Sequence, residues 1–488
     1  MAFSWIDLIV VIVYLVVVTL LGARFGKRQK TLHDYFLGGR QLPWWAIALS
    51  VVSAETSILT IISTPGIAYS GDMAFLQLVF GYLVARVVVS FVLIPKYFAG
   101  ELYTAYQLIE RRFGRGLKVF TAGLFLSSRA LAEGVRVFAI SIVIEVIFRT
   151  GVLSAVLIIT ALTLFYTFKG GLTAVIWTDV TQLSIYVIGT VIALLLAVHA
   201  VPGGWTEIAH LASISGHKFT IFNFHFNWHQ PYLFWSGVIG GTFLTSASHG
   251  TDQLIVQRLL AARNKRQSQG ALLASGLVIL FQFALFLVVG VVLFAFYHFH
   301  PPAHPFTRPD KIYPTFVVTQ LPVGLAGLLT AAIIAAAMAN LSAAFNSLAS
   351  SSVVDFYRPF VRPNADQKHY LRVSRGLTLF WGGVLILIAV ISQYLHEGVL
   401  VLALTIASIP YGAMLGIFLL GVLTKRANSR GTLTGAAMGL AVLILIVVGN
   451  AYGIVNIAWT WYVVIGTLIT FFGGWIASMI LRTSNSSH

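Results

Sequence analysis

The fold is decided by residues 50–66, which read Ser50-Val-Val-Ser-Ala-Glu-Thr-Ser-Ile-Leu-Thr-Ile-Ile-Ser-Thr-Pro-Gly66. They lie within a predicted helix over 43–66, but hydroxyl groups, the carboxyl group of Glu55 and a Pro-Gly pair interrupt its apolar pattern. In a lipid bilayer, irregular backbone is tolerated only where it lines a cavity or is buried in protein. The stretch therefore predicts a broken membrane helix beside an internal cavity.

The composition of the whole chain places that helix in a membrane. Of the 488 residues, 58% are hydrophobic and 9% are charged, whereas about a quarter are charged in soluble domains. We predict an all-α integral membrane protein with about 13 transmembrane helices, each near the roughly 20 residues that cross a bilayer. Their predicted bounds are 4–23, 43–66, 74–96, 115–148, 151–168, 172–200, 232–256, 270–297, 315–353, 371–394, 398–424, 431–449 and 459–481.

The positive charge follows the predicted membrane topology. Most of the 31 Lys and Arg residues fall in alternate loops, which is the pattern of cytoplasmic loops. It predicts a multi-pass protein of the cell inner (cytoplasmic) membrane, with its N-terminus outside and its C-terminus in the cytoplasm. The net charge of +16 is therefore interpreted as topology and attraction to anionic lipid, and not as nucleic-acid binding.

A second predicted helix, 232–256, is interrupted in the same way. Its small and polar residues are Gly240, Gly241, Thr242, Thr245, Ser246, Ser248, His249 and Gly250. The two broken helices stand five helices apart, and an odd offset inverts the topology. We predict two inverted repeats of five helices, over 43–201 and 232–424. An extra helix and cytoplasmic loop precede them over 1–42, and two helices with a short tail follow over 425–488. This is transporter architecture, and kinked structural helices of another membrane protein are the alternative.

Several motifs resemble the sodium:solute symporter family. They are DYFLGGRQLPWW (34–45), QLIERRFG (107–114), KGGLTAV (169–175) with Thr178-Asp179, GTDQ (250–253) with Gln257-Arg258, and DFY (355–357). The resemblance runs in order from about residue 5 to residue 430. It implies a leucine-transporter-like core of five plus five helices that works by alternating access. It also implies secondary active transport: sodium-coupled symport of a small polar organic solute, either sugar- or polyol-like or carboxylate-bearing.

The resemblance further implies a site for the coupling sodium ion. Its backbone carbonyl positions fall on Ser53, Thr56 and Ala336, and its two side-chain hydroxyl positions fall on Ala339 and Asn340. The methyl group of Ala339 supplies no oxygen ligand, whereas the amide of Asn340 does. The sodium set in this chain is therefore Ser53, Thr56, Ala336 and Asn340.

Asp179 and Ser342 are candidates for a second ion site. Ser342 matches a position that, in some family members, binds a second sodium ion together with the aspartate matched by Asp179. A carboxylate in mid-membrane costs several kcal/mol unless it is paired or hydrated, so Asp179 is also a functional candidate on its own.

Charged residues within the predicted helices point to a polar interior. Arg129, Glu133 and Arg136 are spaced i, i+4, i+7, which predicts a ladder that pairs along one helix face. Either this ladder only fixes the packing, or the guanidinium of Arg136 binds a solute carboxylate. In the second case Glu55 accepts hydrogen bonds from hydroxyl or ammonium groups of the solute.

The predicted substrate-binding residues are Glu55, Gln77, Glu133, Arg136, Thr245, Ser248, His249, Thr405 and Ser408. In the sugar-carrying branch of the family, the resemblance places an amide where this chain has Glu55 and a gating tyrosine where it has Ser248. Both differences argue against an ordinary hexose as the solute. His249 is either a buried structural residue or a titratable group for proton coupling.

Other functions stay open as alternatives. A proton-coupled or uncoupled carrier on the same fold is one, motivated by Ala339 and Asn340 and by Asp179, Glu55 and His249. A transporter-like sensor or an intramembrane enzyme is another. No enzyme is predicted, because the chain has no His/Glu metal motif on a helix, no nucleophile elbow and no cysteine.

Overall fold

The computed structural model describes residues 4–26, 42–99, 105–148, 150–166, 172–302, 304–395 and 398–483. The α-helices are α1 (Trp5–Gly26), α2 (Trp44–Glu55), α3 (Ile58–Ser70), α4 (Leu76–Tyr97), α5 (Tyr106–Phe113), α6 (Arg115–Phe148), α7 (Val152–Tyr166), α8 (Leu172–Ala200), α9 (Gly204–Ile214), α10 (Phe234–Gly250), α11 (Gln253–Leu260), α12 (Lys265–Phe299), α13 (Ile312–Gln320), α14 (Leu325–Ser351), α15 (Gln367–Ser392), α16 (Val399–Leu423), α17 (Ser429–Ala451) and α18 (Tyr462–Thr483). A π-helical stretch, Val89–Leu93, lies within α4. The predicted basic loop from Lys27 to Arg40, most of the motif at 34–45 and the Lys169-Gly170-Gly171 motif lie outside the described residues.

The all-α membrane architecture is confirmed. Within the described ranges, eight helices are long and apolar enough to cross a bilayer, namely α4, α8, α12 and α14 to α18. Two bent pairs also pass this test: α2 with α3, bent by 63°, and α6 with α7, bent by 111°. Each predicted segment coincides with a helix or with a broken helix, while the number of spans and the inverted repeat stay predictions.

The first predicted break is present between α2 and α3. α2 ends at Glu55 and α3 begins at Ile58. The hydroxyl of Ser57 accepts a hydrogen bond from the backbone N–H of Leu59 at 3.3 Å, which caps α3. Ser57 therefore starts α3, while Thr56 is the C-cap of α2.

The second break directly follows the last residue of the predicted polar stretch, Gly250. α10 runs without interruption through Gly240 and Gly241 to Gly250, and the chain breaks at Thr251 and Asp252. A Cβ atom on Gly241 would collide with the backbone of Leu78. Gly241 thus lets α10 pack closely on α4, and Gly240 lies against Thr460, so the pair serves packing and does not break the helix.

The predicted helix over 315–353 is also corrected. The structure has two helices there, α13 and α14, separated at residues 321–324. Pro322 lacks an N–H group for a continuous helix, and Gly324 adopts a φ of 88°, which favours glycine. The chain therefore turns before α14 begins.

The broken helices lie at the centre of the bundle. α2 packs against α8 and α12, α10 packs against α4 and α16, and α16 packs against α6 and α18.

The extra helix α1 packs against α14. There the carboxylate of Asp7 accepts hydrogen bonds from the N–H groups of Gly324 at 2.7 Å and Gly327 at 2.9 Å. Asp7 thereby caps the start of α14, where unpaired N–H groups favour an acidic partner.

A short 3₁₀ turn, Pro309–Lys311, lies in the predicted outer loop before α13 and joins three helices. Asp310 accepts hydrogen bonds from the hydroxyl of Ser63 at 2.5 Å and from the N–H of Val399 at 3.3 Å. Lys311 pairs with Glu145 at 2.9 Å. Burial raises the pKa of the Asp310 carboxyl group, although the hydrogen bond from Ser63 acts in the opposite direction.

Candidate functional site

A cavity lies between the two broken helices. It holds about 850 Å³ of space not occupied by protein atoms, and this figure includes its opening to solvent. Residues from α2, α3, α4, α6, α10, α11, α12 and α16 line it. Its polar lining residues are Glu55, Ser57, Thr60, Tyr82, Arg129, Arg136, Thr245, Ser248, His249, Asp252 and Tyr411.

Five of the predicted substrate-binding residues line this cavity: Glu55, Arg136, Thr245, Ser248 and His249. Glu133 lies behind the wall, with a side chain only 1% exposed. The residues of the first break and the last turns of α10 are thus brought together around one cavity.

Three predicted residues lie away from the lining. Gln77 donates to the carbonyl of Tyr232 at 2.9 Å and accepts from the N–H of Asn223 at 3.0 Å, so it fastens the long loop before α10. The hydroxyl of Ser408 donates to the carbonyl of Leu404 at 2.6 Å within α16. Thr405 shares that helix and is not part of the lining.

Glu55 is neutralised by a partner from α4. Its carboxylate pairs with the guanidinium of Arg86, and its Oε2 lies 3.4 Å from Nε2 of His249. The other ring nitrogen of His249 lies 2.9 Å from the hydroxyl of Ser248. Because the carboxylate of Glu55 is already paired with the buried guanidinium of Arg86, it offers no spare negative charge to a cationic solute.

The predicted ladder on α6 is present and is anchored to a further carboxylate. Oε1 of Glu133 accepts from Arg129 at 2.8 Å and also from Arg136. Arg129 in addition donates to both carboxylate oxygens of Asp252, each at 3.0 Å. The hydroxyl of Tyr411 donates to Asp252 at 2.9 Å, so one carboxylate joins α6, α11 and α16.

Asp252 and Tyr411 were missed by the sequence reasoning. Asp252 stands in the GTDQ motif directly after Gly250-Thr251, and its side chain caps α11 by accepting from the N–H of Leu254 at 2.9 Å. An aspartate that follows a helix break and precedes an apolar run is a typical N-cap. That signal was available in the sequence, whereas the contact with Tyr411, 159 positions away, was not.

Arg136 is the cation with spare capacity at the cavity. Three carboxylates in these clusters, on Glu55, Glu133 and Asp252, face three guanidinium groups, on Arg86, Arg129 and Arg136. Arg129 takes two of the carboxylates, and Arg136 shares Glu133 with it. The side chain of Arg136 is 18% exposed, and its hydrogen bond to Glu133 uses Nη1, which leaves Nη2 without a bond among the described residues. Its remaining donors are therefore placed to bind an anionic group.

Asp179 lies in a separate buried ion pair. Its Oδ2 accepts from the hydroxyl of Ser50 at 2.6 Å and from Arg258 at 3.1 Å. Arg258 also donates to Ser50 at 3.0 Å. This pair joins α2, α8 and α11, while Ser342, its predicted companion in ion binding, is buried on α14.

The first break frees backbone oxygens of the predicted sodium set. The N–H of Ser57 donates to the carbonyl of Glu55 at 2.9 Å, and the N–H of Thr60 donates to the carbonyl of Ser57 at 2.9 Å. The carbonyls of Ser53 and Thr56 therefore do not receive the amides that a continuous helix would supply. Ala336 and Asn340 are buried on α14. The donor set is made of neutral oxygens, which fits a hard monovalent cation.

Comparison with known proteins gives one family and several relatives. The model of the sodium:solute symporter family matches residues 35–439. The sodium/sialic acid symporter NanT of Aliivibrio fischeri is 28% identical over 495 residues, which cover 100% of this chain and 95% of that protein. Sodium-coupled monocarboxylate transporter 1 of Xenopus laevis is 28% identical, over 87% of this chain and 68% of that protein. A substrate-bound, outward-open structure of a Na⁺-coupled sialic acid symporter has a TM-score of 0.85 and 26% identity, and covers 98% of both chains.

Proposed function

Because the chain belongs to the sodium:solute symporter family, whose members are transporters and not enzymes, we propose that it is a sodium-coupled symporter of a small carboxylate-bearing solute. The solute binds in the central cavity and crosses the membrane by alternating access between the two predicted five-helix repeats. In this proposal the protein lies in the inner membrane with its N-terminus outside and its C-terminus in the cytoplasm. Its partners are the solute, the ion and the lipid bilayer, and no nucleic acid.

The observation that carries this proposal is the state of Arg136. Its guanidinium lines the cavity and is partly exposed, and its one ion-pair partner among the described residues, Glu133, is shared with Arg129. A planar guanidinium binds a carboxylate through two parallel hydrogen bonds. Glu55 does not compete for a cationic solute, because Arg86 already neutralises it.

The rest of the lining suits the body of an organic solute. Phe283, Leu400 and Ala403 offer apolar surface, while the hydroxyls of Thr245 and Ser248 offer hydrogen bonds. This mixture supports a carboxylate on a small, partly polar carbon frame. The names of the relatives agree with that chemistry, since sialic acid and monocarboxylates both carry a carboxylate.

We place the coupling sodium ion at the first break. Its proposed ligands are Ser53 on α2, Thr56 directly after α2, and Ala336 and Asn340 on α14. Asp179 and Ser342 are proposed as a second ion site. A proton-coupled carrier is the competing function, and the cluster of Glu55, Arg86 and His249 in the cavity wall favours it. The two functions differ in whether uptake follows a sodium or a proton gradient.

The test is uptake by purified protein in liposomes, with a sodium gradient, with a proton gradient and with neither. The probes are lactate and N-acetylneuraminate, each beside its uncharged methyl ester. We expect sodium-driven uptake of one acid and not of its ester. Arg136→Gln should raise the KM for the acid by about 30-fold or more, as loss of one partner of a desolvated charge pair does. Arg372→Gln is the control, because Arg372 is exposed on α15.

Either of two results would contradict the proposal. Uptake that is independent of sodium but follows the proton gradient would show that the coupling ion is the proton. Equal uptake of acid and ester by wild type and Arg136→Gln would show that the protein does not recognise a carboxylate on its solute.

A further inference from the structure

A second polar cluster lies at the first break, outside the lining of the cavity. It consists of the hydroxyl of Thr56, the phenol of Tyr186 on α8 and the amide of Gln282 on α12. Their side chains are 0%, 0% and 3% exposed, respectively. The Tyr186 hydroxyl lies within reach of the side chains of both Thr56 and Gln282, although the distance or angle to each is poor for a hydrogen bond. The cluster is thus formed where α2, α8 and α12 pack against one another.

None of these polar atoms has a partner of good hydrogen-bond geometry in the described part of the protein. This holds for the Thr56 hydroxyl, the Tyr186 hydroxyl, and both the nitrogen and the oxygen of the Gln282 amide. Leaving such a group unsatisfied costs about 1–3 kcal/mol. Native proteins therefore rarely keep several together unless a water or an ion completes the bonds.

The chemistry of the cluster favours a cation. A hydroxyl, a phenol and an amide each present an oxygen, which is the ligand that hard cations prefer. Thr56 follows the last residue of α2, where the helix dipole is negative, and the carbonyl of Ser53 nearby lacks the amide of Ser57. The nearest carboxylate on α8, Asp179, is already paired with Arg258. Because the described side chains of this cluster supply only neutral oxygens, the site suits a monovalent ion and not a divalent one.

We propose that Thr56, Tyr186 and Gln282 form a monovalent-cation site on the side of the first break that faces α8 and α12. The inference rests on the proposed sodium coupling and adds ion ligands from α8 and α12 at the same break. In the predicted sodium set on α14, Ala339 stands where the family resemblance implies an oxygen ligand. Oxygens on α8 and α12 offset that loss, so sodium binds at the break with Tyr186 and Gln282 among its ligands.

The experiment is a sodium titration of the melting temperature of the full-length protein, with choline holding the ionic strength constant. An ion that binds only the folded state raises the melting temperature by mass action. Tyr186→Phe and Gln282→Leu each remove a proposed ligand. The matched control is Tyr313→Phe, since Tyr313 is equally buried and bonds Thr190 of the same helix α8 at 2.8 Å. Asn340→Ala probes the face toward α14.

We expect Tyr186→Phe and Gln282→Leu to raise the sodium concentration for half-maximal stabilisation at least about 10-fold. Tyr313→Phe should keep the wild-type value. In choline alone, both site variants should melt at or above the wild-type temperature, because each removes an unsatisfied polar group. That second readout separates loss of an ion ligand from a failure to fold.

Two results would overturn the site. If both site variants keep the wild-type sodium response while Asn340→Ala loses it, the ion lies toward α14 and the cluster holds only water; the proposed function then stands. If wild-type protein shows no difference between sodium and choline, sodium coupling itself fails and this site fails with it.

Discussion

The guanidinium of Arg129 donates to both carboxylate oxygens of Asp252, at 3.0 Å each, although the two residues are 123 positions apart. Asp252 is also the N-cap of α11 and the acceptor of the Tyr411 hydroxyl. The wall of the cavity on this side is therefore held closed by one carboxylate shared among three helices. Any movement of α11 away from α6 must first break this pair.

Asp252→Asn should destabilise the protein and stop transport. The substitution leaves the buried guanidinium of Arg129 without its bidentate partner, which typically costs about 3 to 5 kcal/mol. The melting temperature in detergent and solute uptake in liposomes measure the two effects. Glu207→Gln is the control, since Glu207 and its partner His210 are exposed and exposed pairs contribute about 0 to 1 kcal/mol. A melting temperature equal to that of the control would show that the contact does not hold the helices together.

Asp179→Asn should abolish ion-dependent uptake. It removes the charge that Arg258 faces at 3.1 Å in a site where both side chains are 2% exposed. Because an unpaired buried guanidinium also destabilises the fold, the double variant Asp179→Asn/Arg258→Gln is measured beside it. If Asp179 serves the ion, the double variant recovers the melting temperature but not sodium-driven uptake. Wild-type uptake in either variant would refute the assigned role.

Asp7→Ala should weaken the attachment of the first helix. The variant loses the acceptor for the N–H groups of Gly324 and Gly327, and loss of an N-cap costs about 0.5–2 kcal/mol. We expect a melting temperature lower by about 1–3 °C with an unchanged KM for the solute. Ser184→Ala is the control, because the exposed Ser184 hydroxyl donates to the carbonyl of Val180 at 2.9 Å within α8 and caps no helix. An altered KM in Asp7→Ala would mean that α1 acts on the site itself.

Asp310 predicts a pH dependence with a defined sign. Burial raises the pKa of its carboxyl group in the folded protein, so the folded state keeps a proton that the unfolded chain loses near the ordinary aspartate pKa of about 3.9. Its contribution to the free energy of unfolding is therefore present at low pH and is lost as pH rises through the raised pKa.

Asp310→Asn removes this titration. The melting temperature of wild type minus that of Asp310→Asn should fall as pH rises from about 4 toward neutrality. Differential scanning calorimetry across that range measures the difference directly. A difference that is constant with pH, or that grows, would contradict the burial argument.

Much of the fold could be predicted from the sequence, because apolar runs of membrane length rarely occur outside membrane-spanning helices. The first break was located correctly, since Ser53, Glu55, Thr56 and Ser57 concentrate polar groups in one turn. The second break follows Gly250, at the end of the predicted polar stretch. Gly240 and Gly241 mark no break, because a glycine pair also permits close packing of helices.

The hydrogen-bond and ion-pair partners of the candidate site residues were harder to predict than the site residues themselves. Glu55 was recognised as a polar group of the broken helix, but its pairing with Arg86 joins positions 31 apart on different helices. Gln77 was expected in the cavity, yet its amide matches backbone groups of a loop about 150 residues away. Hydrophobic patterning fixes which face of a helix is buried, while the identity of the facing residue depends on the three-dimensional packing of the helices.

The eight-residue helix α11 is tied at both ends, by Asp252 to α6 and α16 and by Arg258 to α2 and α8. A single substitution at either end leaves partners on two other helices unpaired, so few single substitutions at these two ends can preserve the contacts of α11. Thr245 and Ser248 have no such constraint, because their hydrogen bonds are made within α10 or to the adjacent His249. A directed-evolution library aimed at a new solute should therefore vary these α10 positions and leave α11 unchanged.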